Sequence, residues 1–268
     1  MKTTIIVAIA FLVASYSAQS QSYFEKELKD VRKILIEQIP GTILIKQSED
    51  NSIRIETDRE VPKEEDERAE GLRPVNGNID NTGLGLSLLQ SGTNITLTAS
   101  FQFDNDYHYT VHIPGNLAVS ANYTSPFAGK EIDIQSLSNA IEVKTLAADV
   151  KFEAITGPAV FHSISGDIEG TFSALSQEAP SSITSVSGLI DIALPPSTGA
   201  NISLKSITGK IYTGFDITLK KQASASDGRA KGLPQIGGMA SETEGSINGG
   251  GVNLSIQNIS GNIYLRDK

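Results

Sequence analysis

A six-residue corner that recurs along the chain limits what it can fold into more than any other feature. The pattern is polar, apolar, Ser/Thr, Gly, any residue, apolar. It reads Ser163-Ile164-Ser165-Gly166-Asp167-Ile168, then Ser185-Val186-Ser187-Gly188-Leu189-Ile190. Further copies are Ser206-Ile207-Thr208-Gly209-Lys210-Ile211 and Asn258-Ile259-Ser260-Gly261-Asn262-Ile263. Weaker ones start at Ser136 and Ala154, and Ile39-Pro40-Gly41-Thr42-Ile43 is a degenerate early one. The apolar positions Leu137, Leu146, Ile155 and Ile164 step by nine residues, and the next steps, to Val186 and Ile207, are 22 and 21. Turns of 18 to 22 residues with two sides fit the whole series. That is the period of a β-solenoid, in which each turn touches only its neighbours.

Between corners the residues alternate with period two, as in a strand with one buried face. Ile132-Asp133-Ile134, Ile141-Glu142-Val143-Lys144, Val150-Lys151-Phe152-Glu153 and Phe215-Asp216-Ile217-Thr218-Leu219-Lys220 show this, and Val252-Asn253-Leu254-Ser255-Ile256 repeats it. The apolar side is expected to stack inward while Asp, Glu, Lys, Asn and Ser face water. Glycine at the corner is expected to supply positive φ, so Val at Gly166 or Gly209 should cost more than about 1 kcal/mol. A helix is expected over Tyr23–Ile36, from the spacing of Phe24, Leu28, Val31 and Leu35, although Ile34–Glu37 equally reads as a strand. Loops are expected at about 58–77, rich in charge, and 222–251, rich in Gly, Ala and Ser. The fold class is therefore all-β: a right-handed β-helix-like solenoid with a short N-terminal helix or strand segment, forming one domain over 21–268.

Residues 1–20 read as a cleavable export signal: Lys2, an apolar stretch from Ile5 to Ala14, then Ala18 and Ser20 before Gln21. The apolar stretch is too short to span a bilayer, and no other segment is a candidate, so the chain is not expected to be an integral membrane protein. With no Cys in 268 residues there are no disulfides, thiolate metal ligands or cysteine nucleophile. The net charge of −9, with scattered Lys and Arg, argues against nucleic acid as a partner. Five N-x-S/T triplets, starting at Asn94, Asn122, Asn201, Asn253 and Asn258, read mainly as by-products of the alternation.

The segment Tyr109-Thr110-Val111-His112-Ile113-Pro114-Gly115-Asn116-Leu117-Ala118-Val119, followed by the Ser-Ile-Ser-Gly-Asp-Ile copies, resembles the family of putative bacterial adhesins related to the head-GIN group. Asn248-Gly249-Gly250-Gly251 and the closing Asn258–Leu265 copy resemble the last rung of Bacteroidetes members. The resemblance spans roughly Ile34 to Arg266. It implies a right-handed β-helix-like fold and an envelope location, and it brings no catalytic residues.

The sequence is expected to hold no catalytic, cofactor-binding or metal residue, and no cofactor. His108 and His112 share one strand face but lie about 13 Å apart, too far for one ion. His162 reads as a solvent-facing strand residue. Asp104-Asn105-Asp106 has calcium-ligand spacing without the Gly and distal Glu of an EF-hand loop. Gly85 and Gly249–Gly251 lack the Lys-Ser/Thr of a phosphate loop and read as turns. Asp133, Glu142, Glu153, Asp167, Glu169 and Asp191 mostly fall on outward positions, as a solvated face. The expected function is an exported cell-envelope binding protein without catalysis, in the periplasm, on the outer surface or secreted. Its expected partner is extended, a glycan or an envelope protein. Two alternatives stay open: a β-helical carbohydrate-active enzyme, and an envelope scaffold or stress accessory protein that self-associates end to end.

Overall fold

A computed structural model describes residues 22–58, 79–100, 107–126, 128–220 and 241–268. The proposed export signal and the Asp104–Asp106 motif lie outside the described residues, as does nearly all of the charged 58–77 segment.

The described chain is all-β, with two large mixed sheets and no helix. Four consecutive strand pairs form its middle. They are β8 (Ala118–Tyr123) with β9 (Glu131–Gln135), and β10 (Ile141–Thr145) with β11 (Asp149–Ile155). Then come β12 (Ala159–Ser163) with β13 (Ile168–Phe172), and β14 (Ser181–Ser185) with β15 (Ile190–Leu194). Even-numbered members lie in an eleven-stranded sheet and odd-numbered members in a ten-stranded one, so the chain crosses between sheets at every corner. From β8 to β13 each strand pairs in parallel with the strand two places on, as Ile141↔Ala159 and Val150↔Ile168 show.

Two further pairs are laid out of sequence order. The pair β2 (Lys33–Glu37) with β3 (Thr42–Ser48) lies between β8–β9 and the pair β6 (Asn94–Ala99) with β7 (His108–Pro114). At the other end, β20 (Val252–Asn258) and β21 (Ile263–Asp267) sit against β14 and β15, separating them from β16 (Ala200–Ser206) and β17 (Ile211–Thr213). Among the described strands, antiparallel ones are confined to the two ends. They are β1 (Ser22–Glu27), β4 (Ser52–Thr57) and β5 (Leu86–Ser91) at one end, and β18 (Thr218–Leu219) and β19 (Ser241–Ile247) at the other.

The core is the shared inner face of both sheets. Ile132, Ile134, Val150, Phe152, Ile168, Ile190, Ile192, Ile263 and Leu265 come from one sheet, and Ile34, Ile36, Val143, Phe161, Ile183, Ile202, Leu204, Leu254 and Ile256 from the other, all buried. Burying one such side chain contributes about 1.5–3 kcal/mol. Within the core Phe152 packs against Phe161 and Phe172, with centroids 5.2 Å apart in both cases. The Phe152 ring occupies the space a side chain on Gly170 would need.

Three expectations are corrected. Tyr23–Ile36 is not a helix. It forms β1, which pairs antiparallel with β4, then a turn through Asp30 at φ 56, then β2. Pairing with β4 engages one side of the Ser22–Glu27 backbone while Phe24 packs on the core, and the positive φ at Asp30 is incompatible with a continuous helix. The expected 222–251 loop contains strand β19, held between β16 and β18 by backbone pairing rather than by an apolar pattern.

The corner glycines do not supply positive φ in the strong copies. Gly166, Gly188, Gly209 and Gly261 lie outside the left-handed region. They are glycines because neighbouring turns touch there. A Cβ on Gly188 would lie under 3.0 Å from the Gly166 carbonyl, one on Gly261 equally close to Gly188, and one on Gly209 equally close to Gly261.

Candidate interaction surface

Each strong copy of the corner begins with an inward-facing polar residue, and parity then fixes the rest. Thr145, Ser163, Ser185, Ser206 and Asn258 form a buried polar column at the end of the strands of one sheet. They are satisfied by the corner backbone. Ser163 Oγ donates to the Gly166 carbonyl (2.7 Å), and Ser185 Oγ accepts from the Gly188 amide (3.0 Å). Ser206 Oγ accepts from the Gly209 amide (3.0 Å), and Asn258 Nδ2 donates to the Gly188 carbonyl (2.6 Å). The residue after an inward one must point out.

That outward residue is aliphatic in every strong copy. Ile164, Val186, Ile259 and Ile207 are 50%, 41%, 46% and 43% exposed. Successive corners are bonded backbone to backbone, Val186 to Ser163 (3.2 Å), Ile259 to Ser185 (3.2 Å) and Ile207 to Asn258 (3.2 Å). The four side chains therefore follow one another at strand spacing, about 4.8 Å per step, as a stripe along one edge of the molecule. Beside them the hydroxyls of Ser165, Ser187, Ser260 and Thr208 donate to the carbonyls of Leu146, Ile164, Val186 and Ile259, at 3.0 to 3.2 Å. The edge thus presents aliphatic surface with its polar groups already engaged. A hollow of about 340 Å³ adjoins it, edged by His162, Thr184, Lys205 and Gln257.

The residues singled out for chemistry do not converge. His108 Nδ1 lies 2.9 Å from Asp58 Oδ2, and His112 Nε2 lies 4.0 Å from Glu56. His162 contacts Thr184 Oγ1 on the neighbouring strand. No group of three or more potential metal ligands is gathered among the described residues. Gly85 belongs to a turn closed by Asp80, whose carboxylate accepts the amides of Thr82 (3.0 Å), Gly83 (2.8 Å) and Gly85 (2.9 Å). A carboxylate already fills the amide ring that a phosphate would require. Gly249–Gly251, all with positive φ, turn the chain from β19 to β20.

The acidic residues are dispersed in the same way. Asp133, Glu169 and Asp191 share one register line with Lys151 between the first two. Partial burial raises the Asp133 carboxyl above its ordinary value, with Gln135 (3.2 Å) opposing. On the other sheet the Lys144 ammonium, 2.7 Å away, holds Glu142 below the usual carboxylate value. Glu153 is exposed. Asp167 Oδ1 accepts the Leu189 amide (2.7 Å) and so braces a corner. Arg266 grips Asp191 with two bonds of 2.6 Å and lies over Tyr264. No helix among the described residues is long and apolar enough to cross a membrane.

The sequence pattern named the stripe residues as apolar positions of the repeat without assigning them a side. Counting parity from Ala159-Val160-Phe161-His162-Ser163 would have put Ile164 outside.

No family model matches the chain, and no curated protein matches it. Among solved structures it is similar to a putative cell adhesion protein from Clostridium sporogenes, at 9% identity and a TM-score of 0.44, over 92% of this chain and 100% of that one. A putative adhesin from Bacteroides fragilis is similar at 11% identity and a TM-score of 0.44, over 94% and 98% of the two chains. Likeness at this level leaves the functional reading to rest on the surface itself.

Proposed function

We propose that this chain is an exported cell-envelope interaction protein, adhesin-like and without catalysis, built as a β-solenoid whose corner stripe contacts an extended segment of another envelope protein. The observation that carries the reading is the exposed line of Ile164, Val186, Ile259 and Ile207. Four consecutive aliphatic side chains left in water at one position of a repeat represent a cost that a purely structural corner would not retain, since Ser or Thr would close the same turn. A glycan is a poorer match, because its hydroxyls need partners and the polar groups here are already bonded within the protein. The lateral hollow is lined by Val186, Ile207 and Ile259 together with His162, Lys205 and Gln257, so the apolar line has a concave side.

The test uses Val186→Asp with Ile259→Asp, substitutions at exposed positions that leave the core intact. Envelope proteins captured by the secreted chain are identified, purified and titrated back. Saturable binding should weaken at least about tenfold in the double variant, or about 1.4 kcal/mol, with an unchanged melting temperature. Equal binding by both forms, or no saturable binding across envelope proteins and glycans, would sink the reading. Fractionation of cells carrying a tagged copy checks the export it assumes.

A further inference from the structure

Nine large hydrophobic residues are exposed among the described residues, and their placement is not random. Four form the corner stripe. Four others sit one on each sheet edge: Tyr23 on β1 and Tyr212 on β17 bound the ten-stranded sheet, while Leu89 on β5 and Leu219 on β18 bound the eleven-stranded one. Edge strands carry unpaired backbone groups and are the places where sheets extend into other molecules. Native edges are commonly blunted by charge. Here β17 and β18, Ile-Tyr-Thr and Thr-Leu, carry none.

The ten-stranded sheet gives the geometry. Following the register from one edge to the other, one outward line runs Tyr23, Glu56, Thr110, Leu44, Asp133, Lys151, Glu169, Asp191, Tyr264, Tyr212. It begins and ends in tyrosine. At its far end the Tyr264 and Tyr212 rings stack with centroids 5.0 Å apart and planes within 8°. That separation is about one strand spacing, so the next ring in the series would belong to the next strand. At the near end Tyr23 is 54% exposed, with Arg54 lying 4.7 Å from its ring centroid. Strand direction also fits. β1 is antiparallel to β4 and β4 to β7, while all pairings from β7 to β17 are parallel, so β1 and β17 point the same way.

We infer that copies of this chain associate head to tail, β17 of one pairing in parallel with β1 of the next. Tyr23 of the incoming copy then extends the Tyr264–Tyr212 stack to three rings, and the exposed leucines of β18 and β5 lie on the same junction. The two surfaces differ, so the contact is heterologous and each copy keeps one free end for another. The net charge of −9 opposes assembly, and salt screens that repulsion.

Sedimentation of the secreted chain across a concentration series tests this, with Tyr23→Lys and Tyr212→Lys as variants at exposed positions whose folding is checked by thermal melts. The wild type should form species beyond the dimer that grow with concentration and with salt. Each variant alone should be monomeric, because it keeps only one working end. An equimolar mixture should form a heterodimer and nothing larger, since the intact β17 end of Tyr23→Lys meets the intact β1 end of Tyr212→Lys. A wild type that stays monomeric, a single variant that still assembles, or a mixture that grows past the dimer overturns the inference. Binding through the corner stripe should survive both variants, so failure of one idea is distinct from failure of the other.

Discussion

Two buried tyrosines show how one hydroxyl changes the balance at a residue. Tyr109 donates to the Leu84 carbonyl at 3.0 Å, while the Tyr123 hydroxyl, fully buried, finds no partner among the described residues. Burial raises both phenols above their ordinary value. Removing an unsatisfied hydroxyl relieves a desolvation cost, whereas removing a bonded one strands its partner. Tyr123→Phe should therefore stabilise by about 1 kcal/mol and Tyr109→Phe should cost about 1 kcal/mol, read from denaturant midpoints at constant slope. The corner glycines give a second contrast. Gly188→Ala drives a methyl into the Gly166 carbonyl, where only backbone can yield, and overpacking of this kind costs about 1–3 kcal/mol. Ser187→Ala, one residue away, loses an exposed bond to the Ile164 carbonyl and should cost under about 1 kcal/mol. Equal losses in equilibrium unfolding would mean that the glycine serves something other than close approach.

Among the elements, the outer faces of the strands carry opposed electrostatic contributions. Glu142 is held ionised by Lys144 and Lys33, so its folded carboxyl lies below its unfolded one. Its contribution is present above the unfolded value and is lost as pH falls through the folded one. Asp133 is the reverse: burial raises it, so its ionisation costs stability at neutral pH and acid relieves that cost. Glu142→Gln should lower stability at neutral pH and Asp133→Asn should raise it. Each effect should be about 0.3–0.5 kcal/mol after solvent screening, and both should vanish below the carboxylate range. Thermal melts across that range check the two signs.

The strands themselves were legible from sequence because alternation is local: Ile132-Asp133-Ile134 and Val150-Lys151-Phe152 read correctly as they stand. What escaped was information the alternation does not carry. Ser241–Ile247 has no apolar period, because β19 is defined by its pairing with β16. Tyr23–Glu27 carries mixed signals that only the presence of β4 resolves. Ile164 and its equivalents were seen as apolar repeats, but their outward direction depends on Ser163 facing inward, a fact about neighbours rather than about residue type.

At the scale of the molecule, the corner copies are too alike to declare their order. Nothing in Ser206-Ile207-Thr208-Gly209 or Asn258-Ile259-Ser260-Gly261 shows that the second, later in the chain, lies nearer the middle of the stack. The layout makes the segment over 252–267 a keystone. The strands at 200–213 are synthesised first, yet their resting place does not exist until the later segment has slotted in against β14 and β15. A chain that folds from its leading end cannot lay this end course by course. The strands over 200–213 can take their final place in the stack only with or after the segment over 252–267.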